Sequence, residues 1–261
     1  MAGRARPKVR VAHRWIMGHL ARDVTDQSTT LCALVVAPHP DDETIGCGAT
    51  IARKTAAGTD VHVVVVSDGG EGGRPPGETV EAFTARRAEE CIEACHRLGV
   101  PRDCVKFLGF EDTRLSEHVD EIGDLLRSVV AAVRPQEVIV PLYVDAHADH
   151  HAVGLAVDGL LTGALAPCTV RAYPLWFWNR WAWTTPSRPR WLQWLDLAWK
   201  PIVTSLTLRP CKVRASGYLG QKREALAAYE SQTVNTLDAE WLEQFFFPQE
   251  LFFTLATGSH R

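Results

Sequence analysis

The sequence has no uninterrupted apolar run of about 18 residues, the length a bilayer-spanning helix requires, so no such span is expected. It also lacks a C-x-x-C pair. Its seven cysteines, Cys32, Cys47, Cys91, Cys95, Cys104, Cys168 and Cys211, are odd in number, which argues against a disulfide framework or a paired-thiol zinc site. Several lie inside apolar runs, the pattern of reduced, buried thiols in a cytoplasmic protein. The net charge is -3 and there is no zinc-finger spacing, so the chain as a whole has no basic field to attract nucleic acid. Internal repeats and low-complexity tracts are absent. The glycine-rich stretch "SDGGEGGRPPGETV" has neither Gly-x-Gly-x-x-Gly nor a Lys-Ser/Thr ending, which excludes a phosphate cradle. It reads instead as a mobile rim loop of a pocket, with Asp68 near the site.

The chain does have the means for one sizeable core: 261 residues, of which 46% are hydrophobic and 23% charged. A single domain over 1–261 is expected, with 1–30 as an N-terminal extension. The segment "MAGRARPKVRVAHRWIMGHLARDV" begins positive like a signal peptide, but His13, Arg14, His19 and Arg22 break its apolar stretch. It reads as an amphipathic helix rather than an export signal.

Short β-branched runs recur: "LCALVVA" at 31–37, "DVHVVVVS" at 60–67, "CVKFLG" at 104–109, "EVIVPL" at 137–142 and "CTVRAY" at 168–173. Continuous apolar strands suit a sheet covered on both faces. Between them, Val119, Ile122, Leu126, Val129 and Val133 form one apolar helix face that ends at Pro135. Helices are also expected over 45–57, 80–98 and 150–166. The alternation predicts an α/β fold, a Rossmann-like doubly wound and mainly parallel sheet, with a helical, aromatic C-terminal part that includes "FFFPQELFF". In the strand order 3-2-1-4-5-6 the first and fourth strands are neighbours, about 4.8 Å apart, so the loops that follow them meet at the carboxyl edge.

Those two loops carry the chemistry. The first reads "PHPDDE", His39 to Glu43 after Pro38; the second reads "YVDAHADHHAVG", Tyr143 to Gly154. Adjacent carboxylates resist burial without a compensating cation or solvent. His39 and Asp42 with one histidine of the second loop supply the three ligands of a hydrolytic zinc site, which leaves a position open for water. His147 and His151, four apart, form a competing pair if a helix already runs there. Asp149 as a helix cap would instead place His147 in the preceding loop.

"PHPDDE" together with "HADHHAVG" resembles the LmbE-like, or PIG-L-like, superfamily of zinc-dependent N-acetylglucosaminyl deacetylases, whose signatures are A-H-P-D-D-E and H-P-D-H. This chain has Pro38 where alanine is usual and Ala148 where proline is usual; neither removes a ligand. "RRAEECIEACHRLGV", "LGFEDTRL" and "KREALAAYESQ" extend the likeness over about 31–232. The resemblance implies that His39, Asp42 and His150 bind Zn2+, with Fe2+ also compatible with such a donor set. It implies Asp41 as general base, with a protonated His147 stabilising the transition state and Asp149 orienting it; either His147 or Asp41 would then give the proton to the departing amine. Arg87 and Asp112 would contact the sugar. Bound zinc lowers the pKa of its water from 15.7 towards about 7. The expected activity is removal of an N-acetyl group from a glucosamine-containing glycoside, small or lipid-linked. Alternatives are an amidase of a sugar-thiol or antibiotic conjugate and a non-catalytic sugar- or nucleotide-binding protein.

Plainer roles compete at several positions. Glu43 suits the first turn of a helix, or a second-sphere partner of a metal-bound histidine. Arg87 and Glu90, three apart, suit a surface pair. Tyr229, Ser231 and Gln232 suit fold closure. Seven of nine tryptophans crowd "WFWNRWAWTTPSRPRWLQWLDLAWK", within an insertion over 174–210. It would serve as a packed lid, a platform for sugar rings, or a peripheral contact with anionic lipid.

Overall fold

A computed structural model describes residues 7–145, 147–178, 208–233 and 242–257, with positions 189, 192 and 195 between them. The chain opens with α1 (Pro7–Leu20), a two-residue β1 (Arg22–Asp23) and a short α2 (Thr25–Thr29). Next come β2 (Ala33–Ala37), α3 (Asp42–Ala56), β3 (Val61–Ser67), α4 (Val80–Arg97) and β4 (Val105–Phe110). The second winding is α5 (Val119–Val133), β5 (Glu137–Pro141), α6 (Ala148–Asp158) and β6 (Thr169–Tyr173). After the tryptophan-rich stretch follow β7 (Arg209–Arg214), α7 (Leu219–Leu226), α8 (Glu230–Thr233) and β8 (Gln249–Leu255). Most of 174–210 lies outside the described residues, and so does the expectation placed on it.

Among the described residues the strands form one sheet in the order β1-β7-β8-β6-β5-β2-β3-β4. The expected run 3-2-1-4-5 is therefore present as β4-β3-β2-β5-β6. β2 and β5 pair in parallel, with Val35 opposite Ile139. The place expected for a sixth parallel strand is taken by β8, antiparallel to both β6 and β7. This corrects the helical reading of the C-terminal aromatic stretch: Leu251, Phe252 and Phe253 are buried in a strand. Every residue of β2 and of β5 is buried, because helices cover both faces. α7 packs on α3 and α4, while α5 packs on α6.

Local chemistry fixes the boundaries. The Thr79 side chain accepts the Ala82 N–H at 3.2 Å and starts α4. α5 stops at Arg134, which takes a left-handed φ of 51° immediately before Pro135. α6 ends at Asp158, well short of 166, in a series of turns that includes Leu160 N–H to Val157 O at 2.9 Å. Buried charges are paired: Lys54 with Glu137 at 2.6 Å, and Lys222 with Glu250 at 2.6 Å. All seven cysteines are free thiols, five of them buried. No described helix is long and apolar enough to cross a membrane.

Candidate active site

The winding direction of the sheet reverses between β2 and β5, and the loops after these strands meet there. The first loop is tied to its neighbour by Ser67 N–H donating to Pro38 O at 2.8 Å. It is closed on itself by His39 N–H donating to Asp42 Oδ2 at 2.9 Å. The turn into α3 forces Asp41 to a φ of 124°, a conformation costly for any residue with a Cβ. Two buried side chains hold it there. Glu43 Oε2 accepts the Asp41 N–H at 3.1 Å. Arg87, 2% exposed, donates to Asp41 Oδ2 at 3.0 Å, Pro40 O at 2.5 Å and Gly69 O at 2.8 Å.

Arg87 is thus not half of a surface pair with Glu90. Glu90 turns away to accept the Ser231 N–H at 2.9 Å and hydroxyl at 2.5 Å. Glu43 is fully buried as well. It accepts the Tyr229 hydroxyl and, at 2.5 Å, that of Thr44. The late segment therefore reaches the site rather than only closing the fold, since Gln232 Nε2 also donates to Gly72 O at 2.7 Å.

His39, His147 and His150 each offer a ring nitrogen within 4.8 Å of the others. Asp42 Oδ2 lies 3.1 Å from His39 Nδ1 and 3.2 Å from His150 Nε2. His150 Nδ1 is held by Asp145 Oδ2 at 3.1 Å, an acid missed in the sequence although it stands only two residues before His147. His150 Nε2 is buried with no well-formed hydrogen bond, aimed at the Asp42 carboxylate. Held this close without a well-formed hydrogen bond, the two groups need a cation between them: a proton on His150 in the metal-free protein, or a divalent ion, for which two imidazoles with one carboxylate are a donor set of the Zn2+ or Fe2+ kind. The residues fit a divalent ion. His151 does not join them: it is exposed, with Nδ1 on Tyr143 O at 2.7 Å.

α6 begins two residues earlier than an Asp149 cap would allow. His147 is the N-cap, its Nδ1 accepting the Asp149 N–H at 3.3 Å. The backbone of Asp149, not its carboxylate, orients His147. That carboxylate goes to His39 Nε2 at 3.1 Å and accepts Thr113 N–H at 2.9 Å. Asp112 Oδ1 meets the same His39 nitrogen at 3.2 Å, while its Oδ2 accepts Glu71 N–H at 3.0 Å. Asp68, as expected, is close by, accepting the N–H of Asp112 at 3.1 Å.

Proton affinities follow from these contacts. Burial, reinforced by Asp42 and Glu43 against the opposing Arg87, pushes Asp41 up to about 8. For Asp42 burial acts in the same upward sense, but His150 and His39 outweigh it and hold the carboxyl well below its usual range. Burial opposes charge on His150, yet Asp42 and Asp145 raise it to about 9. His39 rises well above its usual value: burial is overcome by Asp112, Asp149 and Asp42. His147 falls below its usual value through burial and the neighbouring His150 and His39 rings. This corrects the protonated His147 expected from the sequence. The neutral ring, accepting at Nδ1, carries its proton on Nε2.

These groups line an open cleft of about 250 Å³, whose walls include His39, Asp41, Asp42, Arg87, Asp112 and His147. Trp176 is also on the wall, stacked 6.2 Å from the His147 ring.

Residues 34–161 match the family PIG-L, GlcNAc-PI de-N-acetylase. The chain is 36% identical over 131 residues to "Probable N-acetyl-alpha-D-glucosaminyl L-malate deacetylase 2" of Bacillus cereus, covering 48% of this chain and 58% of that protein. It is 33% identical over 131 residues to the diacetylchitobiose deacetylase of Thermococcus kodakarensis, covering 49% and 48%. It thus spans about half the length of the curated relatives it matches. The N,N'-diacetylchitobiose deacetylase structure from Pyrococcus horikoshii superposes with a TM-score of 0.62 at 18% identity, over 96% of this chain and 94% of that one, which extends the shared fold to the whole sheet. Both loops thus lie inside the region that matches the PIG-L family, and the fold is shared with the deacetylase structure beyond it.

Proposed function

We propose that the protein is a metal-dependent amidohydrolase that removes the N-acetyl group of a glucosamine-type amino sugar, with 1–261 acting as one domain. The observation that carries this reading is the convergence of buried His150 Nε2 and of His39 Nδ1 on Asp42 Oδ2, each within 3.2 Å of it, beside the cleft onto which an Asp41 poised near neutral pH opens. His39, Asp42 and His150 would hold Zn2+ or Fe2+. Such an ion, when bound, supplies Lewis acidity towards a carbonyl oxygen and makes water more acidic.

Asp41, held by Arg87, accepts a proton from the water that attacks the acetyl carbon. As the new C–O bond forms and the C–N bond breaks, Asp41 returns that proton to the departing nitrogen. The products are acetate and a free amine. His147, with its proton on Nε2, donates a hydrogen bond to the carbonyl oxygen as charge develops there. Arg87 spends its described hydrogen bonds on protein groups, so its role is to position Asp41. Asp112 and Trp176 are left to face the sugar.

The test is acetate release from a panel of N-acetylglucosamine glycosides and acylated sugar conjugates, with chelator and after return of Zn2+ or Fe2+. Metal-dependent release that Asp41→Asn abolishes supports the reading. Sugar binding without acetate release from any substrate refutes it in favour of a non-catalytic binding protein.

A further inference from the structure

The two sides of α1 have opposite fates. Met17 is 1% exposed and Ala21 5%. Gly18 lies so close to Gln249 that an added Cβ would stand 2.1 Å from its Nε2. Arg14, 8% exposed, lies over the Phe247 ring at 4.4 Å and donates to Gln244 O. These four positions seat the helix on the body of the protein. On the other side Trp15 is 64% exposed, Ile16 48% and Leu20 67%, with the His19 ring tilted against Trp15 at 3.9 Å between ring centroids. A helix turns 100° per residue, so 15, 16, 19 and 20 fall on one continuous stripe opposite 14, 17, 18 and 21.

Charge tells what such a stripe meets. Arg4, Arg6, Lys8, Arg10, Arg14 and Arg22 place six of the chain's 28 basic residues in its first 22 positions, which hold none of its 31 acids. The rest of the chain is left with 22 basic residues against those 31 acids, so the positive charge is concentrated around α1. Tryptophan and bulky aliphatics on one face of a helix rich in Lys and Arg are the composition that settles at an anionic lipid interface. Three exposed apolar side chains fall well short of the roughly 800 Å² per partner that a stable protein dimer buries.

We propose that α1 docks this protein on an anionic bilayer surface, with Trp15, Ile16 and Leu20 entering the interface and the neighbouring basic residues drawn to the lipid phosphates. This is a surface contact, since no described helix can span the bilayer. It places the membrane contact at the N-terminal helix, separate from the tryptophan-rich 174–210 segment.

The experiment is co-sedimentation of the full-length protein with phosphatidylcholine vesicles, with and without about one-third phosphatidylglycerol, at low and high salt. Binding to the anionic vesicles that weakens with salt is expected. The combined variant Trp15→Ser, Ile16→Ser, Leu20→Ser should lower the partition coefficient by at least about tenfold. Replacing Arg4, Arg6, Lys8 and Arg10 by Gln should weaken it by up to about fivefold per residue for anionic vesicles only. The triple variant should keep the wild-type melting temperature and acetate-releasing activity on a soluble substrate, because Trp15, Ile16 and Leu20 do not line the cleft, and the quadruple variant should keep both if its residues act only on lipid. Failure of the wild type to sediment with anionic vesicles overturns the proposal. So does binding that the triple variant retains, or a concentration-dependent dimer in light scattering that the triple variant alone abolishes, which would assign the stripe to a second copy.

Discussion

Replacing Arg87 with Gln should move the acid limb of the pH–activity profile upward. Asp41 accepts a proton only when ionised, so activity rises as pH climbs through its pKa. Arg87 is the main neighbour that lowers this pKa, against burial, Asp42 and Glu43. Its Nη2 stands 3.0 Å from Asp41 Oδ2, with side-chain exposures of 2% and 10%, so solvent screens the pair little. At an effective dielectric constant of about 20, unit charges about 4 Å apart interact by about 4 kcal/mol. At 1.36 kcal/mol per pKa unit this bounds the shift at about 3 units, and relaxation around Gln leaves an expected rise of at least about 1. A cation on the adjacent ligands lowers the starting value in both proteins, so the difference between them carries the prediction. Arg87→Lys keeps the charge but loses the fork to Pro40 and Gly69, and its limb should fall between the two. Breaking a buried pair also costs about 3–5 kcal/mol of stability, read as a lower melting temperature. The assay is kcat/KM of the metal-loaded enzyme across pH, with circular dichroism confirming the fold. A folded Arg87→Gln protein whose acid limb coincides with wild type would refute the role given to this residue.

Chelated protein should lose stability as pH rises. His150 has a folded pKa near 9, above its ordinary 6.5, so its contribution is complete below about 6.5 and vanishes through 9. Asp41, raised to about 8, acts in the same sense from about 4 upward. Returning zinc should reverse the slope, because its ligands bind deprotonated, and a flat melting-temperature profile without metal would contradict the charged His150. Asp145→Asn should weaken metal binding by about 10–100-fold in competition with a chelating dye, whereas His151→Ala leaves it unchanged. Tyr229→Phe leaves buried Glu43 one donor short and should cost about 1–3 kcal/mol in chemical denaturation; a fall in kcat at constant KM would show that Asp41 has lost its backbone support.

The sheet and the meeting of its two loops were legible in the sequence because β2 and β5 are continuous apolar strands and parallel windings obey few topologies. The two loops stood out because histidines and acids follow those strands directly. What escaped was direction. An Arg-x-x-Glu spacing on α4 does not say that one side chain dives under Asp41 while the other meets Ser231. Asp149 looks like a cap in sequence, yet its carboxylate serves His39, because His147 had already taken the cap position. The alternation in "QELFFTL" was hidden by the aromatic crowding before it, and only pairing with β6 and β7 makes it a strand.

The contact between His39 and Asp149 joins positions 110 apart in the chain. An ion gripped from both loops would clip that distance shut in the way a cross-link does, and closing a loop of about 100 residues restricts the unfolded chain by about 4.7 kcal/mol on the entropic account. Starving the protein of metal would then do more than silence it. The apoprotein would open more often and meet proteases sooner, so its abundance in a cell would track metal supply.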